Sequence, residues 1–377
     1  MIDLQTSREQ LDAIDSEITR LMQERLDIVK NVAEYKRGTG KKVLDRQRED
    51  NKLEMVGSLA DNDFNRQSIE ELFRQIMAIG RKLQYNMLGS GENFGIERVA
   101  DLGINPKTKV MYFGESGSYT EQAMSEVFGE NVSTMKGQKF RDVMEAVHNK
   151  EADYGVLAIE NSSTGGVTDN YDLFAEYDNT IVGEHVVKVE HALLGIPGSK
   201  IEDITRVYSH HQGIFQCKQF LDMHEQMKPV EYFSTSAGAK KVADDKDKTQ
   251  GAIASKRAAA CYGLDVLAEN INFSNENRTR FLIFTNKRIY LEKANKISVS
   301  LELPHKPGSL YGILSHICFN GLNMTNIESR PILGRNWEYR FFIDFEGNLS
   351  DAAVKNALAG IREESINLKI LGNYCTL

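Results

Sequence analysis

The residues with the plainest chemical meaning are Asn277-Arg278-Thr279-Arg280-Phe281. A hydroxyl stands between two guanidiniums, and an apolar run, Phe281-Leu-Ile-Phe284, follows as a strand. Guanidiniums grip carboxylates through paired hydrogen bonds, and a hydroxyl offers a donor to a departing oxygen. Upstream, Glu160-Asn-Ser-Ser-Thr-Gly-Gly-Val167 follows the apolar run Val156-Leu-Ala-Ile159. A polar, glycine-rich loop at the C-terminal end of a strand is where α/β folds bind ligands, and is equally a plain connecting loop. Gly114-Glu-Ser-Gly-Ser-Tyr-Thr120 reads as a turn into a helix, with Ser118 and Glu121 at capping-box spacing. It is neither GxGxxG nor a Walker sequence, so no nucleotide cofactor is expected, and a helix N-terminus that takes a substrate carboxylate is the more economical reading.

A second set of polar residues lies near the N-terminus. Arg25 and Lys36 are eleven positions apart, nearly three full helical turns, and project from one face. Arg8, seventeen positions before Arg25, points elsewhere. Asp45, Arg48 and Glu49 share a face at i, i+3 and i+4. Two readings stand side by side. The charges form solvated helix faces with stabilising pairs, or cations from several helices converge on a dicarboxylate with Glu49 and Gln84 as hydrogen-bond partners.

The elements that must position these residues fall into three segments. Leu4, Leu11, Ile14, Ile18, Leu21, Ile28 and Val32 recur at helical spacing with no Gly or Pro before Gly38, which predicts one long helix. Helices at about 45–59 and 65–86 follow, so this part is all-helical and needs a bundle or a dimer to cover it. Residues 87–108, which include Leu88-Gly-Ser-Gly-Glu-Asn-Phe-Gly95, read as a linker. Strands are predicted at 109–113, 154–159, 180–190, 205–209, 230–234, 251–254 and 280–285 with helices between most of them, which is an α/β region in two lobes with the crossover near 180–192. The last segment reads strand 297–303, helix 309–320, strands 323–330 and 337–345 around the turn Gly334-Arg-Asn336, a helix from Ser350 to about Glu363, and strand 367–374. That is βαββαβ, the ferredoxin-like order.

Bulk properties bound the function. The chain has 377 residues, which predicts two or three domains. A net charge of -8 argues against nucleic-acid and anionic-membrane binding. The four cysteines form no CxxC pair, so buried reduced thiols are expected rather than a zinc site or redox dithiol. Met1-Ile-Asp-Leu-Gln-Thr-Ser7 lacks a basic n-region and an apolar h-region, and no apolar run is long enough to span a bilayer, so a cytoplasmic place is expected.

Three resemblances attach to these residues. Ser7-Arg-Glu-Gln-Leu-Asp-Ala-Ile-Asp15, Glu24-Arg25, Lys36 and Val43-Leu-Asp-Arg-Gln-Arg-Glu49 resemble the all-helical class of chorismate mutases. The resemblance implies that Arg8 (reaching into a partner protomer's site), Arg25, Lys36 and Arg48 hold the carboxylates and ether oxygen of chorismate. Asp45, Glu49 and Gln84 would contact its hydroxyl and enol-pyruvyl oxygens. Gly80 stands where that family often has serine. The middle segment resembles prephenate dehydratase at Gly114–Thr120, Ile159-Glu-Asn-Ser-Ser-Thr-Gly-Gly166, Ser209-His-His-Gln212, Ser234-Thr-Ser236 and Asn277–Phe281, with His211 in place of the usual proline. That implies a catalytic Thr279 with Arg280 and Phe281 beside it, and Glu160, Asn161 and Gln216 as further site residues. His210 and His211 are candidates for the acid, with capping or packing the expected role of each, and His191 is expected to be structural within a strand. The last segment resembles the ACT regulatory domain of phenylalanine-inhibited prephenate dehydratases at Pro307-Gly-Ser-Leu310 and Ile327-Glu-Ser-Arg-Pro331. That implies phenylalanine contacts from Gly308, Ser309, Leu310, Asn323 and Glu328 at an interface between two such domains.

Together the resemblances imply an all-α mutase domain at 1–90, a two-lobed α/β dehydratase domain at 107–286 and an α+β ferredoxin-like regulatory domain at 297–377. They imply conversion of chorismate through prephenate to phenylpyruvate, inhibition by phenylalanine, no cofactor or metal, and a homodimer or homotetramer. A mutase fused to a prephenate dehydrogenase would need a dinucleotide fingerprint, which the middle segment lacks. A two-lobed amino-acid sensor without turnover would have no use for Thr279, Arg280 and the cation set.

Overall fold

The long apolar spacing of the N-terminal segment does form one helix, α1 (Leu4–Thr39), capped by the Asp3 side chain and ended at Gly40 in the left-handed region. The computed structural model describes residues 3–88, 94–332 and 334–377. After α1 come α2 (Arg46–Gly57) and α3 (Asp63–Leu88). The Arg25 and Val29 side of α1 meets α3 at Ile76 and Gly80. The other side leaves Leu4, Leu11, Ile14, Ile18, Leu21 and Ile28 exposed. Part of the expected linker, 89–93, lies outside the described residues. Another part is ordered as a strand, because β1 (Glu97–Val99) pairs in parallel with β13 (Ile289–Leu291), an element that its three residues made invisible to periodicity.

The chain divides into two compact units: residues 1–94 with 299–369, and residues 95–298 with 370–377. The second unit begins with β1, then runs β2 (Lys109–Phe113), α4 (Tyr119–Phe128), β3 (Ser133–Gly137), α5 (Phe140–His148), β4 (Tyr154–Asn161), β5 (Gly165–Gly166), α6 (Thr168–Glu176) and β6 (Thr180–Lys188). It continues with β7 (Ala192–Gly195), β8 (Arg206–Ser209), α7 (His211–Gln216), α8 (Lys218–Asp222), β9 (Lys228–Glu231), α9 (Thr235–Asp245), β10 (Gln250–Ala254), α10 (Lys256–Tyr262) and β11 (Asp265–Ala268), and returns through β12 (Arg278–Thr285) to β13.

These strands build two sheets. In one, β12 lies between β6 and β4, antiparallel to both, and β2 lies between β4 and β3, parallel to both. In the other the order is β11-β7-β10-β8-β9. The two-lobed expectation therefore holds, but β3, β7 and β11 were not anticipated, and β6 stops at Lys188 rather than at 190. The chain crosses between sheets at 189–191 and again at 269–277. Apolar clusters fill each lobe: Val110, Tyr112, Val156, Phe281 and Ile283 in the first, and Leu194, Ala252 and Ala254 on one face of the second sheet with Leu193, Val207 and Ile253 on the other.

The C-terminal elements are β14 (Lys296–Glu302), α11 (Ser309–Phe319), β15 (Met324–Pro331), β16 (Tyr339–Glu346), α12 (Ala352–Glu364) and β17 (Asn367–Tyr374). This is the expected βαββαβ sequence, with strands ordered β15-β16-β14-β17. Of the four cysteines, Cys217 and Cys375 are buried, whereas Cys261 and Cys318 are exposed, against the expectation that all are covered; all four are free thiols.

Candidate active sites

The first site grows out of the β4–β12 register. Thr279 lies opposite Asn161 and Arg280 opposite Glu160, and the next pair is Phe281 with Ala158. Ile159 is thus unmatched, a bulge that ends regular pairing where the polar loop begins. The Asn161 side chain spans the gap. Its carbonyl accepts from the Ser163 and Thr164 amides, at 3.0 and 3.2 Å. That leaves its NH2 group to donate to Thr279 Oγ1 at 2.9 Å, Asn277 Oδ1 at 2.8 Å and the Arg278 carbonyl at 3.1 Å. The Thr279 oxygen is therefore an acceptor here, and its own proton has no acceptor among the described residues.

Arg280 pairs with Glu184 at 3.2 Å and with Glu160 at 3.3 Å. Phe281, by contrast, is buried in the lobe's apolar core, so its side chain packs β12 and does not face the polar site. Gln216 is buried at the end of α7, with its carbonyl 2.9 Å from His191 Nε2. His191 is not in a strand. It sits in the crossover between β6 and β7, where burial pushes its pKa down to about 4 and keeps it neutral near pH 7. His210 caps α7 by accepting from the Gln212 amide at 3.3 Å.

The Gly114–Thr120 turn closes on itself rather than presenting bare amides. Glu121 accepts from the Gly117 amide at 2.6 Å, and Ser118 Oγ accepts from the Glu121 amide at 3.2 Å. Ser255 Oγ donates to the Gly117 carbonyl at 2.7 Å and Arg257 reaches Glu121 at 3.1 Å, so this turn ties the two lobes together.

The second site lies in the helical segment. Arg25 donates to the Ile76 carbonyl at 3.3 Å, and Lys36 donates to the Val43 carbonyl at 2.6 Å. Burial lowers the pKa of both; Arg25 also feels Glu49 and Arg48, and Lys36 feels Glu363, Arg48, Asp45 and Glu49. Those couplings place Arg25, Lys36, Asp45, Arg48 and Glu49 in one neighbourhood, as the dicarboxylate reading requires. The expected polar partners are already engaged: Asp45 caps α2 through the Arg48 amide at 3.1 Å, Glu49 holds Arg81 at 2.5 and 2.6 Å, and Gln84 donates to the Gly80 carbonyl at 3.3 Å. Gln84 Oε1 is buried with no hydrogen-bond partner among the described residues. Arg8 is exposed and, at 1.5 Å rise per residue, lies about 25 Å along α1 from Arg25, so one chain does not bring the two together.

Comparisons with known proteins match both segments. A family model for chorismate mutase type II matches residues 7–85, and one for prephenate dehydratase matches residues 110–289. A bifunctional chorismate mutase/prephenate dehydratase from Aquifex aeolicus is 33% identical over 378 residues, covering 99% of this chain and 98% of its own. This chain belongs to the bifunctional chorismate mutase/prephenate dehydratase family. It is accordingly an enzyme with two activities, a chorismate mutase and a prephenate dehydratase. Solved structures that resemble it over 71% of its length include the following two. Prephenate dehydratase from Arthrobacter aurescens, solved with L-Phe, has TM-score 0.67, 33% identity and 90% coverage of that chain. GqqA, described as a quorum-quenching acylase, has TM-score 0.66, 31% identity and 98% coverage.

Around the candidate sites of this mutase–dehydratase stand residues outside the motifs. Arg81 grips the expected substrate contact Glu49, and Glu184 grips Arg280. Asn277 stood in the opening motif without a role, and it accepts from Asn161. Glu184 did leave a signal, as a charged residue inside the apolar strand Thr180-Ile-Val-Gly-Glu184; Arg81 left none. In the C-terminal segment, Ser309 and Leu310 line a cavity of about 140 Å³ with Leu303, His305 and Tyr339, and Gly308 caps α11 in the left-handed region. Asn323 and Glu328 do not line that cavity. Among the described residues no helix is long and apolar enough to cross a membrane, and no group of His, Cys, Asp or Glu is arranged to hold a metal.

Proposed function

We infer that the residues above carry two successive steps in the synthesis of phenylalanine, in domains at 1–90, 107–286 and 297–377. In the first step Arg25, Lys36 and Arg48 hold chorismate by its carboxylates in its reactive conformer and stabilise charge on the breaking ether oxygen. No nucleophile or proton transfer is required. Gln84 Oε1, buried and unpartnered, is poised to accept from a substrate hydroxyl. The exposed Arg8 and the uncovered apolar stripe of α1 favour an assembly of two or more copies in which Arg8 completes a neighbour's site.

In the second step prephenate loses its ring carboxylate as carbon dioxide. The electron pair of that bond moves into the ring and expels the ring hydroxyl, which leaves as water once protonated. The observation that carries this reading is the Asn161–Thr279 hydrogen bond. By donating to Oγ1, Asn161 strengthens the hydroxyl as a donor and leaves its proton for the departing oxygen. Arg280, paired with Glu160 and Glu184 on the opposite face of β12, supports the strand that carries Thr279.

The acylase description of one solved neighbour belongs to that protein. Acyl transfer by a hydroxyl needs a base to take its proton. The side chain bonded to Thr279 Oγ1 donates instead of accepting.

Phenylalanine inhibition is supported by the L-Phe held in the Arthrobacter aurescens neighbour. Ser309, Leu310 and Gly308 are the contacts we favour in this chain. A cavity of about 140 Å³ is small for an amino acid of that size, which favours a site finished by a second copy. The net charge of -8 favours an enzyme that binds neither nucleic acid nor an anionic membrane surface.

The test is a chorismate feed to the purified chain, following prephenate and phenylpyruvate separately, with and without phenylalanine. Both products are expected, with phenylpyruvate suppressed by phenylalanine. Thr279→Ala is expected to abolish phenylpyruvate and leave prephenate formation intact; persistent phenylpyruvate would remove Thr279 from the mechanism.

A further inference from the structure

Glu184 is almost fully buried, lies outside every motif singled out in the sequence, and has a cation on each carboxylate oxygen. Lys296 Nζ is 2.6 Å from Oε1 and Arg280 Nη1 is 3.2 Å from Oε2. The register explains the second contact. Glu184 on β6 faces Leu282 on β12, and Arg280 faces Val186, so Glu184 and Arg280 are diagonal neighbours on one face of the sheet. Arg280 also has Glu160 directly opposite on its other side, on β4. The guanidinium is thus held from both flanking strands. The two partners are unequal. The Glu160 side chain is 46% exposed and that of Glu184 only 7%, so solvent screens the first pair and not the second.

Glu184 is itself held on several sides. Its amide donates to the Cys375 carbonyl at 3.0 Å, and its carbonyl accepts from the Leu377 amide at 2.9 Å. Thr376 Oγ1 is 3.4 Å from Oε1. A buried carboxylate clamped through both its backbone groups and both its oxygens has one position to occupy, and the cation it carries belongs to the residue after Thr279 on β12, on the opposite face of the strand, so the two are joined through the backbone.

We propose that Glu184 is a positioning residue of the dehydratase step: by holding Arg280 it anchors the stretch of β12 that presents Thr279 on its opposite face, and Lys296 with residues 375–377 fixes Glu184. The proposal rests on the dehydratase reading above. Glu184 touches no reacting atom and acts through Arg280 alone.

The test uses the full-length chain, whose mutase turnover reports that the preparation is intact. Glu184→Gln keeps the shape and removes the charge. Its dehydratase kcat is expected to fall roughly 10- to 100-fold, the scale of a misplaced site group, with mutase turnover unchanged. In an Arg280→Met background the same substitution is expected to cost nothing further, because residues that act as a unit are not additive. Lys296→Gln, which leaves the Glu184–Arg280 pair in place, is expected to give a smaller fall that also vanishes in the Arg280→Met background. It carries the test if Glu184→Gln does not fold. Unchanged kcat in the variants, or an equal loss with and without Arg280, would overturn the proposal. A wild-type chain that makes no phenylpyruvate would instead overturn the dehydratase reading beneath it.

Discussion

Arg81 holds Glu49 through two hydrogen bonds, of 2.5 and 2.6 Å. The other end of the guanidinium reaches Glu364 of α12 at 2.7 Å. A residue expected to contact substrate is therefore set by a cation from α3, and that cation is shared with the C-terminal segment of the same unit.

Replacing Arg81 by Met should leave two largely buried carboxylates without their cation. Removing one partner of a buried pair costs about 3 kcal/mol, so the urea midpoint of the helical unit should fall. Mutase turnover should fall with it, because Glu49 loses its orientation. An unchanged midpoint would show that Arg81 is not holding this unit together.

The same cluster predicts an acid-sensitive unit. Burial works to raise the pKa of Glu364, but His316 and Arg81 hold it down at about 2, from an ordinary 4.5. A carboxyl whose folded pKa is depressed stabilises the fold above the unfolded value, and that contribution is lost as pH falls from 4.5 towards 2. Glu364→Gln should flatten the acid-unfolding curve across that window.

His191 predicts a different window. Its folded pKa is about 4 against an ordinary 6.5, chiefly through burial. Below pH 6.5 the unfolded chain takes up the proton first, so the dehydratase unit should be most stable above 6.5 and weaken as pH drops towards 4. Thermal scans across this range should show that slope, and His191→Gln should remove it.

Two glycines should respond in opposite directions. Gly117 has φ +76°, and a Cβ there would run into the Ala258 backbone of the other lobe. Gly117→Ala should destabilise the dehydratase unit by more than ~1 kcal/mol and lower phenylpyruvate formation while the mutase persists. Gly80 is helical, and a Cβ there would meet Arg25 Nη1 at 3.4 Å and Val29 Cγ2 at 3.5 Å, ordinary contacts. Gly80→Ala should therefore stabilise the helical unit by about 0.5 to 1 kcal/mol, read by denaturant unfolding.

Much of this enzyme is legible in local sequence. Helical spacing marks α1 because its apolar positions recur from Leu4 to Val32 with no Gly or Pro between them. The run Asn277–Phe281 and the loop after Ile159 both announce polar chemistry, because hydroxyls, amides and guanidiniums at the ends of apolar strands need a purpose. Short elements escape this reading. β1, β7 and β11 have three or four residues each, too few for a period to emerge, and the strand role of β1 comes from β13, nearly two hundred positions away.

The sequence alone determined which residue types stand at each site and the order of the segments that carry them, since both are properties of the chain. Which side chains meet is a property of the folded chain. The fold turned the Asn161 amide towards Thr279, set Arg81 on Glu49, placed Phe281 in the core and buried Glu184 between Arg280 and Lys296. These contacts depend on strand register and on burial. Register is fixed by pairings between distant strands, and a buried charge has meaning only through the partner that the fold brings to it.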